Sequence, residues 1–323
     1  MQTIRLDPSQ SIQQAIDSVA PGNAAKLLLS PGVYREKLII NKPGLMLCGE
    51  GNSPRDVVIT NNDYANKLHP ADGKEYNTFR TYTVNIIAPN VALKGLCIEN
   101  TAGDPVHKGQ SVALSVYADG ALVENCVLAS TQDTLFCGPL PDDLIVRYDV
   151  FLKDEERYFE GEMLHLFYGC RIEGSVDFIF GCANAWFYGC DIVSVNDTRE
   201  AGYVAAPAHS LKQRAGFQFV SCKFRGIGCA ERSVFLARPW RDFGKAVYLD
   251  CALDAHIRPE GFDKWNDTAR DRTARFLYGG STRLPNAVPW AKQLSVSDAQ
   301  ALREDCERHF SSRNVCVVPP SNR

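Results

Sequence analysis

The chain has 323 residues, 45% of them hydrophobic and 23% charged, with Gly 24 and Pro 17; these proportions exclude collagen-like, disordered and simple coiled-coil chains. Lys plus Arg 35 against Asp plus Glu 38 leaves a net charge of -3 and a pI near 6.1, so nucleic acid has no electrostatic footprint to bind. No apolar run approaches the roughly 18 residues of a membrane helix.

The opening segment Met1–Pro8 has neither the basic nor the apolar region of a signal peptide. It reads as the start of a cytoplasmic chain, or of a secreted one whose leader has been removed. Next, Ser9 or Ser11 can cap a short helix with Ile12, Ala15, Ile16 and Val19 on one face. This cap, at about residues 9–20, would plug the end of whatever core follows.

Twelve cysteines occur without a Cys-x-x-Cys pair, which points to buried free thiols rather than a zinc ribbon or a thioredoxin-type redox site. Six of them share a local pattern in which an apolar segment leads into Cys-x-apolar, at Cys97, Cys126, Cys170, Cys190, Cys222 and Cys251. Their spacings of 29, 44, 20, 32 and 29 residues vary too much for helical repeats but suit short strands joined by unequal loops. Asn, Gly, Ser or Asp precedes every Cys but the first, where Leu96 stands; such residues allow a sharp bend. Each copy therefore reads as one coil of a parallel β-helix, the alternative being a β-sandwich or α/β fold with chance spacing. Near the C-terminus, Leu294–Cys306 begins with serine caps and continues with helix formers. This tail, about 291–323, is expected to pack on the outside of a single solenoid domain spanning 1–323.

The familiar hydrolase signatures are absent: there is no Gly-x-Ser-x-Gly, His-Glu-x-x-His or P-loop, and the six histidines lack ligand spacing. Chemistry is instead suggested by polar residues set in apolar segments: Gln110 before Ser111–Leu114, Gln132-Asp133 before Thr134–Phe136, and Asp177 within Ser175–Gly181. An isolated buried carboxylate is costly, so Asp177 demands a partner, and Arg238 in Leu236–Trp240 offers a guanidinium. Gln110 and Gln132 are 22 residues apart, about one coil; Asp133 and Asp177 are 44 apart, two short coils or one coil with an insertion. The polar segment at about 137–163 could be that insertion. If so, Gln110, Gln132, Asp133 and Asp177 form one cluster outside the tube. Read alone, the same residues fit a polar ladder and bend caps better than a site.

In order, the segments Gln110-Ser111-Val112-Ala113-Leu114, Gln132-Asp133-Thr134-Leu135, Asp177-Phe178-Ile179-Phe180-Gly181 and Leu236-Ala237-Arg238-Pro239-Trp240 resemble the motifs of the pectin methylesterase family of carbohydrate esterases. Gly32–Glu36 and Asn100–Gly103 add to the likeness, which runs from about Ser11 to Leu294. The resemblance implies an all-β, right-handed parallel β-helix that removes C6 methyl esters from polygalacturonan or its oligomers without metal or cofactor. It implies Asp177 as nucleophile, Asp133 as general acid and then base, Gln110 and Gln132 as oxyanion stabilisers, and Arg238 as partner of Asp177. Trp240, Phe136, Phe180 and Val176 would then contact the sugar. The expected partner is a methylated galacturonan, with no nucleic acid or membrane, and the expected state is a monomer.

These roles are chemically coherent. A guanidinium beside a carboxylate fixes its orientation, whereas a second acid nearby is disfavoured from ionising and can hold a proton. Ala237 departs from the family's usual glycine, and the 137–163 segment is expected to tune chain-length or methylation-pattern preference. A pectate lyase or polygalacturonase on the same solenoid would need a calcium-binding acid cluster or several cooperating aspartates, which these motifs do not match. An esterase or thioesterase acting on another ester would keep the acids. A non-catalytic carbohydrate-binding β-helix would need neither.

Overall fold

A computed structural model describes residues 1–148 and 162–312. Its strands form three parallel sheets of 11, 8 and 7 strands, and the order within each sheet follows the chain at intervals of one coil. This is the parallel β-helix expected from the cysteine pattern, right-handed as the family resemblance implies. Stacking lets every coil satisfy the backbone hydrogen bonds of the next, so short strands without strong individual propensity become stable together.

The bends carry the repeat. Asn125, Gly169, Gly189, Ser221 and Asp250, each just before a cysteine, have φ of 49°, 60°, 61°, 53° and 55°, a left-handed turn that Asn, Asp and Gly tolerate best. Behind each bend the thiol points inward. The Sγ of Cys170, Cys190, Cys222 and Cys251 donates to the carbonyl of Val123, Phe167, Phe187 and Phe219 in the coil below, at 3.3, 3.5, 3.3 and 3.4 Å. A cysteine therefore fills a small apolar space while offering a weak donor to a carbonyl at the turn.

The first copy of the pattern is out of step. Cys97 pairs with Val127, not with Cys126, and the left-handed residue is Gly95. Leu96 thus occupies the ladder position, so the ladder begins at Cys126 and Cys97 is a buried strand residue beside it.

One interior column shows how the core is built. Leu27, Leu47, Leu93, Val123, Phe167, Phe187, Phe219 and Tyr248 stack in register through successive coils of the 11-stranded sheet, and all are fully buried. In the last four the rings lie nearly parallel, with centroids 4.7, 4.7 and 4.9 Å apart. Each buried side chain of this size contributes about 1.5–3 kcal/mol of transfer free energy.

Both ends are covered. Helix Ile12–Ser18 buries Ile12, Ala15 and Ile16 over the first coils, and the Ser11 side chain accepts from the Gln14 N–H. At the other end Phe262, Phe276 and Trp290 pack together, with centroid distances of 5.0 to 6.2 Å. The tail forms helix Val296–Ser311, which sets Ala299, Cys306 and Phe310 against Trp186, Tyr188 and Leu249 on the outside of the 11-stranded sheet. That is the external packing expected for it.

Candidate active site

The site lies on the outer face of the 7-stranded sheet, where three coils meet. Strand Leu135–Cys137 pairs directly with Val176–Gly181, Leu135 opposite Ile179 and Phe136 opposite Phe180. This 44-residue register brings Asp133 beside Asp177 and resolves the spacing as a single coil carrying an insertion. On the other side, strand Leu114–Val116 pairs with Leu135–Cys137, and the Ser111 N–H donates to the Gln132 carbonyl at 3.1 Å. Gln110 therefore sits one coil from Gln132.

Both acids occupy irregular backbone. Asp133 has φ of 63° and Asp177 of 51°, a left-handed conformation that costs a non-glycine residue on the order of 1 kcal/mol. At Asp177 the ladder is also bulged. Val176 pairs with Tyr203 and Ile179 with Ala205, so Asp177 and Phe178 together oppose the single Val204. A bulge re-aims side chains: Phe178 turns into the core while Asp177 lines the cleft.

Arg238, from two coils further on, clamps Asp177 with two parallel bonds, Nε to Oδ1 at 2.8 Å and Nη2 to Oδ2 at 2.6 Å. The guanidinium is itself held between two rings, 3.8 Å from the Tyr203 centroid and 4.1 Å from that of Trp265. Such a bidentate, stacked arginine fixes the carboxylate in one orientation. Asp133 differs. Burial first, and the neighbouring Asp177 charge second, push its carboxyl well above the ordinary value of 3.8, with Arg238 and Arg199 opposing. Two acids on adjacent coils thus sit in different settings: Asp177 is ion-paired with Arg238, and the buried Asp133 carboxyl is pushed toward its protonated form.

The cleft has a volume of about 450 Å³, and Gln110, Gln132, Asp133, Asp177, Phe180, Arg238 and Trp240 all line it. Two residues expected to contact a sugar do not line this cleft. Phe136 is fully buried, its ring 5.0 Å from Phe180, 5.2 Å from Phe79 and 5.0 Å from Tyr117; it supports the cleft floor from behind. Val176 is also buried, and its backbone bridges Gln132 and pairs with Tyr203, so it holds coils together rather than lining the groove. Phe180 packs edge-on against Trp240 at 5.7 Å.

Several contributors escaped the sequence reading: Arg199, Tyr203, Trp265 and Phe79. Arg199 donates from Nη1 to the Gln132 Oε1 at 2.8 Å and from Nη2 to the Ser175 Oγ at 3.1 Å, and pairs with Asp197. A signal existed, because Arg199 follows Asp177 by 22 residues, the same one-coil spacing that links Gln110 to Gln132. Of the insertion, helix Asp142–Arg147 brings Leu144 and Arg147 to the cleft, and Asp143 holds Arg241 through two bonds of 3.0 and 2.7 Å. Residues 149–161 lie outside the described residues.

The Pectinesterase family model matches residues 7–139 and 158–304. Pectinesterase QRT1 of Arabidopsis thaliana is 33% identical over 303 residues, covering 90% of this chain and 72% of the relative. Pectinesterase 31 of the same plant is 30% identical over 299 residues, covering 90% and 85%. Among solved structures, pectin methylesterase PemA from Erwinia chrysanthemi superposes with a TM-score of 0.75 at 26% identity, over 93% of this chain and 94% of that one. A pectin methylesterase in complex with a hexasaccharide gives 0.75 at 26% identity over 90% of both chains. Motif order, coil register and paired carboxyl groups agree with these matches: the chain belongs to the pectinesterase family.

Proposed function

We propose that the protein hydrolyses methyl esters of galacturonan, releasing methanol and leaving a free C6 carboxylate. The observation that carries this reading is the pair of acids: Asp177 clamped by Arg238, beside a buried Asp133 whose carboxyl is pushed above its ordinary value, in a cleft that two glutamines also line. A carboxylate oxygen of Asp177, held in place by Arg238, attacks the ester carbonyl carbon. Negative charge then develops on the carbonyl oxygen, where the amide N–H groups of Gln110 and Gln132 can receive it; one such donor is worth about 3–4 kcal/mol in other acyl-transfer enzymes. As the C–O bond to methoxide breaks, Asp133 gives up its proton and methanol leaves. The Asp177 acyl anhydride remains. Asp133, now a carboxylate, takes a proton from water, whose hydroxide opens the anhydride and restores both acids. Trp240 and Phe180 present ring surface to the pyranose.

The test is methanol release from highly methylated polygalacturonan, followed together with unsaturated products. The wild type is expected to release methanol without unsaturated product, and Asp177→Asn to release none. Unsaturated product would indicate a lyase; sugar binding without turnover would indicate a binding module.

A further inference from the structure

The amide of Gln132 can face two ways, and only one is useful to an oxyanion. Its oxygen would repel the developing charge; its N–H2 would stabilise it. Arg199 decides between them. A guanidinium has five donors and no acceptor, so the atom of Gln132 that it contacts at 2.8 Å must be the carbonyl oxygen. The amide nitrogen is thereby turned away from Arg199, and among the described residues it meets no protein acceptor.

Arg199 is itself well fixed. Its Nε lies 3.0 and 2.9 Å from the two Asp197 oxygens, its Nη2 also reaches Asp197, and Nη2 donates to the Ser175 hydroxyl at 3.1 Å. Ser175 is tied in turn to the Gln132 coil, donating from Oγ and from N–H to the Thr131 carbonyl at 3.1 and 2.7 Å. The ion pair thus joins the coil that carries Gln132 to the coil that carries Asp177.

We propose that Arg199 is a positioning residue for ester hydrolysis, holding the Gln132 carbonyl oxygen so that the amide N–H2 stays aimed into the cleft. This rests on the reading of Gln132 as an oxyanion donor. Arg199 has a second effect. Asp133 is faced by three charged groups, Asp177, Arg238 and Arg199, and the Arg199 cation favours loss of the Asp133 proton.

The experiment is a double-mutant cycle on the full chain, measuring kcat and KM for methanol release with Gln132→Ala, Arg199→Ala and both together. A positioning role predicts that Arg199→Ala lowers kcat about ten- to a hundredfold with KM little changed, below the ~10²–10³-fold cost of losing a donor outright. In the Gln132→Ala background the same change should cost little more. Because Arg199→Ala strands the Asp197 carboxylate, Arg199→Ala/Asp197→Asn is the companion variant, and its kcat should fall equally. The alkaline limb of kcat should also move to higher pH in both, as removal of the cation lets Asp133 keep its proton longer. Equal losses in the Gln132 and Gln132→Ala backgrounds would overturn the proposal, as would wild-type kcat in Arg199→Ala beside an impaired Gln132→Ala. Wild-type kcat in Gln132→Ala would overturn the oxyanion reading itself, and Arg199's role with it.

Discussion

The tube interior and the cleft on the 7-stranded sheet are built from the same strands by opposite rules. Inside, one position is filled by one kind of side chain in coil after coil: thiols donate to the carbonyls below them, and rings stack at 4.7 to 4.9 Å. On the 7-stranded face that regularity is interrupted. The backbone breaks register at Asp177, two aspartates adopt left-handed φ, and a buried carboxyl pushed toward its protonated form sits near a guanidinium. Repetition supplies stability, and its local interruption supplies reactive geometry.

That contrast is open to test, because changes in the cleft should move turnover and changes in the column should move stability. Asp177→Asn should have the largest effect, lowering kcat by roughly 10³-fold or more as expected for a lost nucleophile. It also leaves the Arg238 charge buried without its partner, so circular dichroism should accompany the assay. Asp133→Asn should lower kcat by about 10²–10⁴-fold, the usual range for a general acid.

The same substitution has a stability consequence of known sign. Because the folded-state Asp133 carboxyl titrates well above 3.8, the folded protein holds a proton that the unfolded chain gives up above about pH 4. The stabilisation that comes with that proton is complete below about pH 4 and is lost as pH rises through the folded-state value. Asn has no proton to lose. The melting temperature of Asp133→Asn should therefore exceed that of the wild type at neutral pH, with the gap closing toward pH 4. A gap independent of pH would place its origin elsewhere.

In the column, Phe187→Ala should lower the unfolding free energy by about 3–5 kcal/mol, read as a shifted denaturant midpoint, while kcat of the folded fraction stays near wild type. Trp240→Ala should do the reverse, reducing kcat/KM by roughly 30-fold, about 2 kcal/mol for a well-packed aromatic contact, with the midpoint little moved. Cys222→Ser is the mildest, within about 1 kcal/mol, because a hydroxyl can make the same bond to the Phe187 carbonyl.

The same division explains what could be read from sequence. The solenoid was legible because its physics repeats: a bend residue, a thiol, a gap and an apolar residue recur, and the spacing alone stacks them. Only the phase of Cys97 misled, since Gly95 lies two residues before it and the bend is what sets the register. The acids, glutamines and Arg238 were legible through their motifs. Phe136 and Val176 were not correctly placed, because adjacency in a motif does not say which face a strand residue takes or what covers it; Phe79 and Tyr117 cover Phe136. Trp265 went unseen because it reaches the cleft from a loop, where no periodicity marks it; Arg199, also in a loop, was marked only by its one-coil spacing from Asp177.

The thiol ladder also makes the molecule a recorder of its own opening. Of the free cysteines among the described residues, ten are buried and Cys229 is partly exposed. A thiol reagent applied to the native protein should therefore label Cys229 quickly, while the ladder thiols wait for their coils to separate. Because Cys126, Cys170, Cys190, Cys222 and Cys251 occupy successive coils of the solenoid, the order in which they are labelled would report whether the tube unzips from one end or opens all at once.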